Sequence, residues 1–143
     1  MTGELFAANR IILLHKQATS ARVRIYVHSY GGICGFSGLA EAVEISAGRA
    51  EAVVVFPPAI VAAAAAELGI AGGDLVAEPE FRMTARAGGR DIAIHLARFT
   101  TIDPPFALAE RCGGRFIEMS AARSLPANEL ALLRAAFETV MGG

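Results

Sequence analysis

The chain has 143 residues, of which 54% are hydrophobic and 19% charged, and its formal net charge is −1. This composition excludes intrinsic disorder, which requires low hydrophobicity and high net charge. The length fits one domain and is too short for a two-domain enzyme with a full dinucleotide-binding half. Because no excess of basic charge would hold a polyanion, we expect no nucleic-acid partner.

Cysteine usage and hydropathy predict a cytoplasmic protein with no membrane partner. The only cysteines, Cys34 and Cys112, lie far apart and outside any Cys-x-x-Cys pair, so they form no secreted-type disulfide framework. The longest uncharged stretches, residues 25–40 and 52–66, fall short of the roughly 20 apolar residues that span a bilayer. The low charge content predicts a homo-oligomer, because obligate interfaces resemble a core cut in half.

The first half of the chain contains two predicted strands and a glycine-rich segment. Residues 10–16 contain the short apolar run Ile11–Leu14, which is compatible with a buried strand or a helix turn, and we favour the strand. Residues 22–30 alternate between apolar and polar side chains, the pattern of a half-buried strand. Four glycines then break this pattern in the segment Gly31–Gly38.

Residues 40–56 are compatible with two structures. A helix would place Leu39 and Val43 on one face, whereas a hairpin would turn at Ala47-Gly48 and return through Ala52 and Val54. Residues 48–69 and residues 89–113 share the same order of a Gly-Arg pair, a strand, a Pro-Pro pair and a helix that ends at glycine. Because the later stretch begins in a predicted hairpin, we adopt the hairpin for residues 40–56 as well. The β-branched run Val53–Phe56 is predicted to be a strand.

The remaining elements have clear local signals. Pro57-Pro58 suits the first turn of a helix that continues over residues 59–68 and stops at Gly69. Gly88-Gly89 predicts a tight hairpin turn between strands at residues 81–85 and 92–96. Asp103 is the expected N-cap of a helix over Phe106–Cys112. A strand at Arg115–Met119 and an amphipathic helix at Pro126–Met141 complete the chain.

Together these elements predict a single α+β domain over residues 1–143. We expect an antiparallel or mixed sheet of about five to seven strands, with two or three helices packed on one face. The predicted core residues are Leu130, Leu133, Phe137, Val54, Val55, Ile92, Ile94 and Leu96.

The glycine-rich segment is the first candidate for a binding site. Its spacing, Gly32-x-x-Gly35-x-x-Gly38, matches neither the dinucleotide fingerprint nor a phosphate-binding loop that ends in Gly-Lys-Ser/Thr. Glycines let backbone N–H groups approach a ligand, but they equally permit bends against a packed neighbour. The residues predicted to bind ligand are Gly31, Gly32, Cys34, Gly35, Gly38, Arg82 and His95, with His28 beside them.

Cys34 and His28 are weak candidates for catalysis. A thiol becomes a nucleophile when a nearby imidazolium lowers its pKa, and either His28 or His95 could serve as the base. The alternative is that Cys34 is a small buried hydrophobic residue. The three histidines have no His or Cys partner at zinc-site spacing, so we expect neither a metal nor a cofactor.

Two strands also carry polar side chains that could form a basic surface. Arg22, Arg24, Tyr26 and His28 point one way on the first strand, and Arg82, Thr84, Arg86 and His95 are expected on the outward side of the later hairpin. If these strands were neighbours, their combined face could hold a carboxylate or a phosphate. The alternative is a solvated face neutralised by Glu78, Glu80 and Asp91.

Three functional hypotheses follow from these patterns. The first is a non-enzymatic, self-associating domain that binds a small acidic ligand or a protein partner. The second is a small cytoplasmic enzyme with Cys34 as its nucleophile. The third is an accessory subunit of a larger complex, which would also explain the apolar composition.

Overall fold

A computed structural model describes residues 2–20, 22–40, 43–48 and 57–141. The helices are α1 (Thr2–Ala8), α2 (Pro57–Leu68), α3 (Phe106–Cys112) and α4 (Ala127–Met141), with 3-10 helices at Gly72–Asp74 and Met119–Ser124. The strands are β1 (Asn9–Lys16), β2 (Val23–Val27), β3 (Glu44–Ala47), β4 (Leu75–Ala77), β5 (Met83–Ala87), β6 (Arg90–Phe99) and β7 (Arg115–Glu118). None of these helices is long and apolar enough to cross a membrane.

The strands form one mixed seven-stranded sheet, which confirms the predicted α+β class. The order is β3-β5-β6-β1-β2-β7, and β4 also pairs with β6. β1 and β6 are parallel, and the other pairings are antiparallel. β1 is therefore a central strand, and β7 lies at one edge of the sheet.

Helices cover both faces of this sheet, so the expectation of a single covered face was wrong. In β1, Ile12 and Leu14 pack with α4 on one face, while Ile11 and Leu13 pack with α1, α2 and α3 on the other. All four side chains are completely buried. A strand buried on both faces has no reason to alternate, which explains the uniformly apolar run in the sequence.

The elements with strong local signals formed where they were predicted. Gly88 and Gly89 have φ values of 58° and 79°, which only glycine adopts readily, and they form the turn between β5 and β6. The prediction of Asp103 as an N-cap was wrong. The N-cap residue of α3 is Pro105, and no side chain caps the helix. Asp103 lies two residues too early to cap it, because Pro104 and Pro105 separate Asp103 from the first helical residue.

Residues 44–47 are a strand, as the hairpin interpretation requires, but β3 pairs with β5. The predicted return strand, the strand Val53–Phe56 and the core candidates Val54 and Val55 lie outside the described residues. The other core predictions hold to different degrees. Leu133, Ile94 and Leu96 are buried, whereas Ile92, Leu130 and Phe137 pack against the core while half-buried.

Candidate functional site

The two polar strand faces do not meet, so the basic surface that neighbouring strands would have formed does not arise from them. β1 and β6 lie between β2 and β5 in the sheet. Tyr26 and His28, which were expected on an outward face, are only 1% and 6% exposed. α1, α2 and α3 pack over this face, and its central strand is apolar there. The position of β2 in the sheet separates its arginines from those of the β5–β6 hairpin.

The glycine-rich segment continues the sheet beside β1. Gly35 and Ile11 exchange two backbone hydrogen bonds of 2.9 Å, forming an antiparallel bridge. β2 pairs with β1 only as far as Leu14, so the segment occupies the adjacent position that β2 has left. The backbone of Gly35 is thereby used in packing, and it does not present an N–H group to a ligand.

His28 is enclosed by aromatic rings beneath this segment. Its ring stacks on Tyr30, with 5.4 Å between centroids, and meets Tyr26 and Phe36 edge-on at 4.8 and 5.1 Å. Nε2 is buried without a hydrogen-bond partner among the described residues. Desolvation lowers the pKa of His28 to about 4, so the imidazole is neutral at pH 7.

Glu129 belongs to this site although no sequence pattern predicted it there. It lies on the buried face of α4 with Leu132, Leu133 and Ala136, and it is 4% exposed. Its Oε2 accepts a hydrogen bond of 3.1 Å from the Ile33 amide, which fastens the glycine-rich segment to α4. Oε1 has no partner within the described ranges. Burial raises the pKa of this carboxyl. The signal present in the sequence is the helical spacing of Glu129, which precedes the core residues Leu132 and Leu133 by three and four positions.

Cys34 lies against Glu129 and is completely buried. Burial, together with the adjacent carboxylate, raises the pKa of the thiol well above its usual range. A nucleophilic cysteine requires the opposite, a partly exposed thiol in electropositive surroundings. With His28 neutral as well, this geometry gives little support to cysteine catalysis and more to the packing alternative.

The remaining predicted ligands, His95 and Arg82, lie away from the glycine-rich segment. His95 pairs in register with Ile11, which is itself bridged to Gly35, so one strand separates His95 from the segment. Its Nε2 is 2.8 Å from Asn9 Oδ1. Arg82 is exposed and lines a cavity on the α4 side of the sheet with Glu80 and Glu138. These residues therefore do not form one site.

The structure instead brings one arginine of β1 together with two arginines of the β5–β6 hairpin, which is distant from β1 in the sequence. Arg10, Arg86 and Arg90 line a cavity of about 770 Å³, which we call the arginine cavity. It lies between the end of α1 and the β5–β6 turn. Its other lining residues are mostly small or apolar: Ala7, Ala8, Ala87, Gly89 and Ile92, with Asp91 as the one acidic member. Its volume is in the range of small-molecule sites.

Arg10 is a buried cation that is held by backbone carbonyl groups. Its Nε donates to Gly38 O at 2.6 Å, and Nη1 donates to the carbonyls of Phe6, Ala7 and Asn9. No hydrogen bond from Nη2 occurs in the described part of the chain. The residue is 8% exposed, and desolvation lowers the pKa of its guanidinium. Arg10 is thus held at the wall of the cavity by Nε and Nη1, while Nη2 makes no hydrogen bond to the described residues.

The cavity has an excess of positive charge. Asp91 lies 3.7 Å from Arg86, and Glu44 faces Arg86 across the β3–β5 pair, so Arg86 is partly neutralised. Within the described ranges, no carboxylate lies within 4.0 Å of a guanidinium nitrogen of Arg10 or Arg90. These two guanidinium groups therefore have no ion-pair partner among the described residues.

Comparison with known proteins adds no assignment to this geometry. No protein-family model matches the chain, and no curated protein matches it.

Proposed function

We propose that this protein is a non-enzymatic domain that binds a small anionic ligand, a carboxylate or a phosphate, in the arginine cavity. The observation that carries the proposal is Arg10, a desolvated guanidinium at the cavity wall with no carboxylate partner in the described structure. Burying a charge is costly unless an opposite charge compensates it. A bound anion would supply that compensation.

The cavity offers the two kinds of contact that such a ligand needs. Arg10 is oriented by four carbonyl groups, so its free nitrogen loses little conformational freedom when an anion binds. Arg90, at the start of β6, adds a second guanidinium, and planar guanidinium groups suit carboxylate and phosphate oxygens. Ile92 and the alanines form apolar walls for the rest of the ligand.

Binding of inorganic phosphate and of succinate should raise the melting temperature of the wild-type protein. A ligand present at 100 times its Kd stabilises the folded state by about 2.7 kcal/mol. Arg90→Gln should weaken this binding roughly tenfold, because it removes one exposed cation without disturbing the core. Thermal shift and isothermal titration calorimetry at low and constant ionic strength would measure both effects.

Arg82→Gln is the matched control, since Arg82 is also an exposed arginine beside β5 but lines a different cavity. It should bind both anions like the wild type. Chloride at the same ionic strength should give no shift. Equal binding by the wild type and Arg90→Gln would contradict the proposal and would indicate nonspecific anion association.

We also propose that the protein self-associates and that it works in a reducing, cytoplasmic setting. Two large apolar side chains are exposed after β6: Ile102 in the following loop is 84% exposed, and Phe106 at the start of α3 is 54% exposed. The Phe106 ring contacts the ring of Phe116. Both cysteines are free, as a reducing compartment requires. Native mass spectrometry should show a homo-oligomer that Phe106→Ser weakens. A wild-type monomer at micromolar concentration would contradict self-association.

A further inference from the structure

A second concave surface lies on the other side of α4 from Arg82. Between α4 and the 3-10 helix Met119–Ser124 is a groove of about 300 Å³, which we call the α4 groove. Its floor is apolar: Ala122 and Leu133 are buried, and Met119 and Leu130 are half-buried. The groove can accept one apolar side chain from outside.

The arginines at this groove form no ion pair with any acidic residue that the structure describes. Arg123 and Arg134 line the groove and are exposed. Every ion pair found among the described residues lies elsewhere, and Glu118, the last residue of β7, is engaged by Arg22. Glu138, one turn after Arg134, lines the cavity on the Arg82 side of α4. The charge at the groove therefore favours an acidic partner.

The groove continues directly from an open edge of the sheet. β7 pairs with β2 on one side and has no paired strand on the other among the described strands. Met119, which lines the groove, follows the last residue of β7. An edge strand presents unpaired N–H and C=O groups that can pair with another extended chain.

We infer that the β7 edge and the α4 groove together bind an extended acidic peptide segment of a partner protein. The segment adds a strand to β7, inserts an apolar side chain between Met119 and Leu130, and places carboxylates beside Arg123 and Arg134. Main-chain hydrogen bonds supply affinity in such complexes, while the groove and the charges supply specificity. This surface is separate from the arginine cavity, and the inference does not depend on it.

A second copy of this chain fits the same surface poorly. When two β7 strands pair about a two-fold axis, directly opposed side chains share a face of the sheet. Arg115 lies on the same face of β7 as Ile117, so Arg115 of the second copy would face Ile117 or Met119. It would add a positive charge to a groove already lined by two arginines. An acidic segment avoids this repulsion.

A fluorescein-labelled probe peptide of sequence Glu-Thr-Glu-Thr-Leu-Thr-Glu, which as a strand places its leucine and its carboxylates on one face, would test the inference by fluorescence anisotropy on the full chain. We expect saturable binding to the wild type that is weakened at least tenfold in the double variant Arg123→Glu, Arg134→Glu. The same peptide with every backbone amide nitrogen methylated should lose binding, since neither of its edges can then donate hydrogen bonds to β7. A Lys-for-Glu version should not bind.

Arg82→Glu, a single charge reversal on the far side of α4, is the control for Arg123→Glu and Arg134→Glu taken singly, and it should bind the probe like the wild type. Circular dichroism would establish that all variants are folded. Wild-type-like binding by the double variant would overturn the inference, as would undiminished binding of the methylated peptide. No binding of the acidic probe to the wild type would overturn it as well.

Discussion

Between pH 6.5 and pH 4, the wild-type protein should lose about 3 kcal/mol of unfolding free energy that a His28→Phe variant does not lose. The pKa of His28 is about 4 in the folded protein, against 6.5 for an unperturbed histidine. A pKa difference of about 2.5 corresponds to about 3 kcal/mol, at about 1.4 kcal/mol per pH unit. His28 is 6% exposed, so solvent does little to screen this effect.

The direction follows from which state binds the proton first. As pH falls below 6.5, the unfolded chain protonates His28 while the folded protein keeps it neutral. The contribution of His28 is therefore fully present above pH 6.5, is lost progressively down to pH 4, and stays constant below that. Charging the imidazole would place a cation among Tyr26, Tyr30 and Phe36 with no acceptor for Nε2 in the described structure.

Urea unfolding at half-unit pH steps would measure the unfolding free energy of the wild type and of His28→Phe. The difference between the two values isolates His28, because the contributions of the other titrating groups cancel. Parallel pH profiles would show that His28 does not titrate as the structure requires. An NMR titration of the wild-type imidazole gives the pKa directly, even if the Phe variant folds poorly. A value near 6.5 would contradict the buried position of the ring.

Gly35→Ala should destabilise the protein by about 1–3 kcal/mol, the usual cost of overpacking a filled site. A Cβ at position 35 would lie 2.6 Å from Nε2 and 2.7 Å from Cε1 of His28. The ring cannot swing away freely, because it is stacked on Tyr30 and enclosed by Tyr26 and Phe36. Chemical denaturation of wild type and variant measures the cost.

Gly73→Ala is the control for this substitution, since among the described residues no heavy atom beyond its neighbours in the chain lies within 4 Å of a Cβ built there. We expect it to change stability by less than about 0.5 kcal/mol. The decisive comparison is Gly35→Ala in a His28→Ala background, where the space left by the ring should remove most of the penalty. An equal penalty in both backgrounds would show that contact with His28 is not the cause.

These two experiments also bear on what the glycine-rich segment does. The glycine spacing predicts ligand contacts at Gly31, Gly32, Cys34, Gly35 and Gly38. In the structure, Gly35 makes room for a buried ring, and the Gly38 carbonyl anchors Arg10. The segment therefore contributes indirectly to the proposed site, because it positions the arginine at the wall of the arginine cavity.

The sequence by itself determined the elements whose signals are local. A Gly-Gly pair sets the backbone of the β5–β6 turn, Pro57-Pro58 begins α2, and helical spacing predicts α4. The sequence did not predict α1 and β4. These elements have seven and three residues, which are too few to show a periodic pattern.

Only the tertiary structure decided which of these elements are neighbours. Pairing of β1 with β6 joins residues more than 80 positions apart, and it separates two strand faces that local patterns could have placed side by side. The same packing puts Glu129 against Cys34 and gathers Arg10, Arg86 and Arg90 around one cavity. Periodicity reports which face of an element is buried but not what covers it, so the candidate site depends on contacts between distant parts of the chain.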